Sequence, residues 1–455
     1  VNNPATSVGD HMHLAAFMNA GPGGVGGWRH PRAEPGWFSM SYYQNIARTL
    51  EAGRFDLMFF ADSLSVPRSL GDSIADNVRY GVGVPRLDPI PVISVIAAAT
   101  RHLGLAATAS TGFQQPFNTA RTFASLDHLT EGRAAWNVVT SFQDAEARNF
   151  GEERLAPRDA RYGKAEEFLQ VAAKLWDSWA DDALVVDKES AQFARPESVA
   201  PIDHRGEYFA VQGPLQVPRG PQGYPVIIQA GSSPAGRDFA SRWADVIFCS
   251  HESLESAIAF RRDVRRRAEE AGRDPNHIRI LPAVTPIIGT TAGNAHARRL
   301  EFEDLVPAEA GLSRLAYHLD VDLSQYDLDK PLPPLDVQGV DGHYREVVEV
   351  AEREGFTVRE LGKWYGARTE GNLVGTVGQI ADRMEEWFTR GAADGFTVCP
   401  THTPVAFEDF TGAVVPELQR RGLFRTEYEG STLRENLGVP RPEAGEWRRR
   451  ARIAS

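Results

Sequence analysis

Cysteine is nearly absent: Cys249 and Cys399 are the only two in 455 residues. Neither a disulfide framework nor a Cys-rich zinc site can be assembled from two thiols so far apart. No histidine adjoins either one to activate it, so both read as small buried residues at strand ends. Positive charge is also scarce, with 49 Lys and Arg against 61 Asp and Glu and a net charge of -12. A surface of that sign repels phosphate backbones, so nucleic acid is not an expected partner. The single basic run, Arg261 to Arg267, is followed in a helical pattern by Glu269 and Glu270 and reads as a solvated helix face. Long hydrophobic runs are lacking as well. Without a stretch of about 18 apolar residues or a secretory h-region, the expectation is a soluble, cytoplasmic protein with no membrane contact. The sequence opens on Val1 instead of an initiator methionine, as a trimmed chain does.

What is present is a core-sized share of apolar residues, 42% hydrophobic against 24% charged, and a rhythm. Short apolar runs recur, most of them followed by a segment of helical period. They predict strands at His13 to Met18, Phe55 to Ala61, Leu103 to Ala109, Ala134 to Val139, Pro225 to Ala230, Val246 to Cys249, Ile278 to Ile288 and Gly395 to Cys399. Continuous apolar runs of this kind belong to strands buried on both faces. Eight such units predict an α/β fold, a closed (β/α)8 TIM barrel, in preference to a doubly wound open sheet. Three irregular stretches, 63–89, 180–223 and 306–371, interrupt the rhythm. The second holds a predicted hairpin around His204 to Val217, and the third is marked by Pro331, Pro333 and Pro334. All three are read as insertions that follow strands, which puts them at the C-terminal mouth where a barrel keeps its chemistry. The whole chain, 1–455, is then one barrel domain with a C-terminal extension from about 424.

Several motifs carry candidate chemistry. His11-Met12-His13 has the look of a metal-binding H-x-H pair, but it opens the first strand, at the barrel bottom. No later strand end supplies the remaining ligands, so no metal is expected, and a metal-dependent hydrolase barrel stands as a competing class. Gln229-Ala230-Gly231-Ser232-Ser233-Pro234-Ala235-Gly236 ends a strand and opens a helix. Small residues let a phosphate approach the backbone, hydroxyls donate to it, and the helix N-terminus favours negative charge. The segment is neither a Walker loop nor G-x-G-x-x-G, which disfavours ATP and a Rossmann dinucleotide there. An ordinary tight turn with a serine cap accounts for it equally well. Asp62 and Asn137 stand at the mouth-side ends of apolar strands, and an Asn amide both donates to and accepts from a heteroaromatic edge. Asp159-Ala160-Arg161-Tyr162 opens a helix with a cation and a phenol. Gly27-Trp28-Arg29-His30-Pro31 sets an aromatic, a cation and an imidazole after the first strand, although packing under the loop alone would explain Trp28.

Together these stretches resemble the nitrilotriacetate, dibenzothiophene-sulfone and long-chain alkane monooxygenase branch of the bacterial luciferase-like flavin monooxygenases. Further matching stretches are Gly53-Arg54-Phe55-Asp56, Leu126-Asp127-His128-Leu129-Thr130-Glu131-Gly132-Arg133, Trp136-Asn137-Val138-Val139-Thr140-Ser141, His204-Arg205-Gly206-Glu207-Tyr208-Phe209 and Val415-Pro416-Glu417-Leu418-Gln419-Arg420-Arg421-Gly422-Leu423. The resemblance implies a luciferase-like barrel binding FMN at its mouth. It also implies a separate NAD(P)H:flavin reductase that delivers FMNH2, and a homodimer or homotetramer. Asp62, Thr108 and Asn137 are expected to face the isoalloxazine, and Tyr162, Gly231, Ser232 and Ser233 to hold the ribityl and phosphate end. Oxygenation would run through O2 and a C4a-(hydro)peroxyflavin, with the protein positioning groups and excluding water, and with the insertions as lids.

His30 and Asn137 are the catalytic candidates. Phe17, Trp28, His30, Phe142 and Arg314 are the candidates for substrate contact. Two departures bear on the substrate, since Phe142 and Arg314 stand where the alkane-oxidising members carry histidine. An apolar wall with a cation suits a small aromatic or heterocyclic compound, N- or S-containing, better than an alkane. Hydride transfer with F420 or a flavin on the same fold, and a non-catalytic flavin-binding barrel, are the other competing readings.

Overall fold

The structure, a computed structural model, describes residues 11–251, 253–319, 321–333, 341–368 and 372–451, of which 341–346 and 368 are described in backbone only. Its centre is a closed eight-stranded barrel in simple sequential order. The strands are β1 (His13–Asn19), β2 (Leu57–Ala61), β3 (Gly104–Ser110), β4 (Ala134–Val139), β5 (Val226–Gln229), β6 (Val246–Cys249), β7 (Arg279–Val284) and β8 (Gly395–Val398). All neighbours pair in parallel, and β8 closes on β1 with Gly395 beside His13. Each predicted strand run coincides with a barrel strand.

The seventh run is divided. β7 ends at Val284, and Pro286–Ile288 leaves the barrel to pair in parallel with Leu373–Gly375. Pro286 has no N–H to give a ladder, so a side sheet accommodates it where the barrel would not. Asn372 secures the departure, its Oδ1 accepting from the Thr285 N–H at 2.7 Å.

Around the barrel run α1 (Met40–Ala52), α2 (Pro89–Ala97), α3 (Pro116–Leu129), α4 (Arg158–Trp176), α5 (Pro234–Trp243) and α6 (Leu254–Glu270). The insertion after β7 contributes α7 (Ala292–Leu305), α8 (Ala308–Leu319) and α9 (Val358–Arg368), before α10 (Val377–Thr389) returns to the barrel. Helix starts follow local chemistry. Asp88 caps α2 through the Ile90 N–H, Ser253 caps α6 through Ser256, and Thr376 with Gln379 forms a capping box on α10.

The period of two along each strand sorts side chains between two cores. Ala15, Leu57, Phe59, Ala106, Ala135, Val226, Ile228, Val246 and Leu281 fill the barrel interior, with Leu433, Leu437 and Val439 of the C-terminal extension packed against them. The alternate residues, such as Trp136, point outward against Phe123, Phe168 and Trp176. His13 lies at the bottom, where its Nδ1 is 3.0 Å from Asp56 Oδ1 while Arg425 and the Leu14 N–H also hold that carboxylate. Of the histidine pair seen in sequence, His13 is therefore part of a buried carboxylate clamp on the face opposite the mouth.

The expectation that all insertions follow strands needs correction. Residues 180–223 follow α4, so they leave from the barrel's N-terminal end. Arg219 ties them there to Asp177 (3.0 Å) and Asp181 (3.2 Å). The hairpin predicted near His204 shrinks to His204–Arg205 with Ala210–Val211. It packs back along α4, because Glu167 accepts from His204 Nε2 and from the N–H groups of Tyr208 and Phe209, all at 2.9 Å.

α8 and α9 cross in backbone contact. A Cβ on Gly311 would lie 2.1 Å from the Gly362 carbonyl oxygen, and one on Gly366 would lie 2.7 Å from Gly311 Cα. The pair has its own apolar core, in which Leu312, Leu315, Ala316 and Leu319 meet Val358, Leu361 and Tyr365. Among the described residues no helix is long and apolar enough to cross a membrane.

Candidate active site at the barrel mouth

Thr108 and Asn137 lie two residues beyond Ala106 and Ala135, on the same inward face of β3 and β4, and are paired in register. The Phe60 carbonyl on β2 accepts from Thr108 Oγ1 at 2.7 Å, and Thr108 Oγ1 in turn accepts from Asn137 Nδ2 at 2.8 Å. That chain fixes which way the amide points. Asn137 Oδ1 is left buried without a partner, a state that costs about 1–3 kcal/mol until a donor arrives. The imide N–H of a flavin is a donor of the required kind.

At the start of α5, Ser233 Oγ caps the helix by accepting from the Gly236 N–H at 3.1 Å. Tyr162, on the first turn of α4, hydrogen-bonds with Ser233 and Gln229; burial, the larger effect, keeps its phenol above the usual pKa. A Cβ on Gly236 would lie 2.8 Å from the Tyr162 hydroxyl and 2.9 Å from Gly231 Cα. Gly231, Ser232, Ser233 and Tyr162 are thus brought together in a cradle of backbone and hydroxyl groups at a helix N-terminus, which suits a phosphate. The unpaired Asn137 amide oxygen and this cradle fit the two ends of FMN.

On the other side of Asn137, Asp62 follows β2 with its carboxylate 3.9 Å from Arg86. Burial pushes its pKa up to about 6 against the opposing pull of Arg86. Sequence reasoning passed over its neighbour Glu146, a buried carboxylate that staples two mouth loops. It accepts from the N–H groups of Leu64 (3.0 Å), Phe142 (3.2 Å) and Gln143 (3.3 Å), and from Ser141 Oγ (3.2 Å). Ser141 needs the staple because its φ of 60° is left-handed, which is unfavourable for a residue with a Cβ.

A cavity of about 890 Å3 opens beside this polar set, over the ends of β1, β6, β7 and β8 and under α8 and α9. Phe17 and Phe248 stack in its floor with centroids 5.5 Å apart, and Phe59 meets both edge-on. Of the predicted substrate contacts, Phe17 and Arg314 line this cavity, whereas Trp28, His30 and Phe142 do not. Trp28 donates to the Tyr80 carbonyl (2.9 Å) and pins a loop. His30 is stacked between Phe302 (4.8 Å) and His402 (4.0 Å), and burial, with Arg32 and Arg298 beside it, lowers its pKa. Those ring contacts hold α7 to the first mouth loop, so His30 loses its place as a proton donor in the cavity. Phe142 packs on Tyr317 of α8 at 5.5 Å, away from the cavity lining.

The cavity adds residues not anticipated from sequence: Phe248, His251, His318, Trp364 and Trp387. The His251 imidazole is held neutral by burial and by Arg237, its pKa falling to about 4. Inward parity on β6 would have marked Phe248, whereas nothing local marks Trp364 in a segment read as irregular. Cys399 also lines the cavity, and burial raises its thiol to about 12, which makes it an inert wall.

A closed parallel barrel carrying a polar, phosphate-type cradle at its C-terminal mouth defines the class: a TIM-barrel enzyme with its site at the strand ends. The luciferase-like monooxygenase family model matches residues 16–394. The chain is 45% identical to dibenzothiophene-sulfone monooxygenase of Rhodococcus erythropolis (strain XP), over 95% of this chain and 97% of that one. It is 42% identical to nitrilotriacetate monooxygenase component A of Aminobacter aminovorans, over 95% and 97%. The crystal structure of DmoA from Hyphomicrobium sulfonivorans superposes with a TM-score of 0.88 at 34% identity, covering 98% of this chain and 97% of that one. The chain belongs to the luciferase-like monooxygenase family and is an FMN-dependent monooxygenase.

Proposed function

We propose that this enzyme is the oxygenase of a two-component system. In this reading it takes reduced FMN from a separate NAD(P)H:flavin reductase in the cytoplasm and uses O2 to oxidise a small aromatic or heterocyclic compound containing nitrogen or sulfur. The observation that carries the reading is the unpaired, buried Asn137 amide oxygen, held in line by Thr108 on the same mouth as a phosphate-type cradle. The relatives' names support the coarser part, since one is nitrilotriacetate monooxygenase component A and another is dibenzothiophene-sulfone monooxygenase.

Bound reduced FMN supplies the electrons that activate O2. The residues of the chain then have separable tasks. Asn137 and Thr108 orient the pyrimidine edge, and Tyr162, Ser232 and Ser233 hold the phosphate with the N-terminus of α5. Phe17, Phe248 and Phe59 floor the reaction space with apolar rings, which keeps out the water that would divert reduced oxygen to peroxide. Cys399 and His251 stay uncharged at neutral pH, and His30 lies outside the cavity lining. Asp62, with its raised pKa, is the mouth group poised to exchange one.

The test is anaerobic titration with photoreduced FMN, followed by mixing with aerated buffer and a screen of aromatic sulfur and nitrogen compounds for 18O uptake from O2. Tight FMNH2 binding with 18O in product is the expected result. Product formed by hydride transfer without 18O would overturn the reading.

A further inference from the structure

We infer that Arg314 anchors an anionic head group on the substrate, so that this enzyme selects organic carboxylates or sulfonates with an apolar, ring-bearing body. The inference rests on the monooxygenase reading for the reaction, and deepens it by naming the substrate class.

Arg314 projects from α8 into the cavity, and its Nε is buried with no hydrogen-bond partner. Among the described residues no carboxylate pairs with it. The other arginines of the rim are engaged: Arg299 with Glu303 at 2.8 Å, and Arg383 with Glu386 at 3.2 Å. Neither carboxylate at the rim is available to Arg314, because Glu303 serves Arg299 and Glu360 accepts from the N–H and Oγ1 of Thr357 at 2.9 Å each. Lys363 and several polar residues also line the space, and its apolar wall is formed by Phe17, Phe248, Phe396, Trp364 and Trp387.

A guanidinium left without a partner beside aromatic walls is unfavourable in the free enzyme, and a carboxylate relieves it with two parallel, charge-assisted hydrogen bonds. A neutral substrate of the same shape strips its water and gives nothing back, which is the arrangement that produces strong discrimination. The cation is also pre-positioned. The glycine crossing of α8 and α9 and the His318–Tyr365 hydrogen bond fix the helix that carries it. The flavin phosphate has its own cradle at Tyr162 and Ser233, on the α4 and α5 side of the mouth, so it does not call for this arginine.

The experiment measures binding by tryptophan fluorescence, using Trp364 and Trp387 as reporters, in full-length protein without flavin. Two matched pairs serve as probes: (phenylthio)acetate with its amide, and naphthalenesulfonate with its sulfonamide. In the wild-type enzyme at least one anion binds about tenfold or more tighter than its neutral partner. Arg314→Gln abolishes that ratio, and Arg314→Lys keeps part of it. No preference in either pair, or a preference that survives Arg314→Gln, overturns the inference. So does an equal loss of FMNH2 affinity in Arg314→Gln, which would assign the arginine to the flavin. Because the ratio is read without flavin, a wild-type protein that prefers the anion but binds no FMNH2 would sink the monooxygenase reading and leave this one standing.

Discussion

Gly311→Ala tests the lid crossing directly, because two opposed effects predict opposite signs. In a helix interior free of close neighbours, Gly to Ala stabilises by roughly 1 kcal/mol. Here the added Cβ would start 2.1 Å from the Gly362 carbonyl oxygen, where ordinary contact begins near 3.4 Å. The obstacle is backbone, which cannot rotate away, so α8 and α9 must separate by roughly 1 Å. Overpacking of this kind costs about 1–3 kcal/mol. Against the propensity gain, the net expectation is a loss of up to about 2 kcal/mol, localised to the lid. The displacement carries Arg314 and Tyr317 with it, so affinity for an anionic probe falls while FMNH2 affinity holds. Hydrogen exchange resolved along the chain, together with the two titrations, checks both halves. Gly378→Ala is the control: its Cβ meets nothing within 4 Å, and the variant should be neutral or slightly more stable. If Gly311→Ala were more stable than wild type by the full propensity gain of roughly 1 kcal/mol, the backbone contact between α8 and α9 would be wrong.

Three further outcomes are expected. Asn137→Ala, which removes a buried acceptor and releases Thr108, should raise the FMNH2 dissociation constant about tenfold while circular dichroism stays unchanged; an unaltered titration would detach Asn137 from the flavin. Tyr162→Phe should weaken FMN while leaving riboflavin alone, since only the former brings a phosphate to the cradle, and equal effects on both would refute that placement. Asp62 has a folded pKa of about 6 against an ordinary 3.8, so the folded state holds the proton more tightly and stability drains away as pH rises from about 4 to 6. Asp62→Asn should therefore stabilise flavin-free protein at pH 7.5 by at most roughly 3 kcal/mol and not at all below pH 4, as read from urea midpoints at both pH values; a gain independent of pH would show that the carboxylate is not responsible.

The barrel was legible because strands buried on both faces leave continuous apolar runs, and parity then carried Thr108 and Asn137 to the inner face. What failed was whatever depended on direction out of a loop. Trp28 and His30 follow β1 in sequence, yet the chain turns aside and spends the first on the Tyr80 carbonyl and the second between Phe302 and His402. Those partners lie up to several hundred residues away, and no local spacing announces them. The same holds for Glu146, an acid in an ordinary helical start whose four donors come from two separate loops. Residues 180–223 were misplaced for a different reason. A segment of helical period from Arg161 to Trp179 stands directly before them in the sequence, and a stretch that leaves from a helix joins the end of the barrel away from the mouth.

The two halves of the mouth stand on different physical supports, and this bears on how specificity is built. Asn137 cannot shift without Thr108, and Thr108 is bonded to the Phe60 carbonyl, so the polar set is tied through β2, β3 and β4 of a barrel with no edge to fray. The cavity ceiling is instead carried by α8 and α9, whose apolar core is separate from the barrel's and whose contact runs through glycines. A rigid reaction centre under an independently packed ceiling lets the cavity side chains change without disturbing the groups that position the cofactor. Arg314 sits on that ceiling. Selection for an anion then requires only that α8 be held still, which is the task the glycine crossing performs.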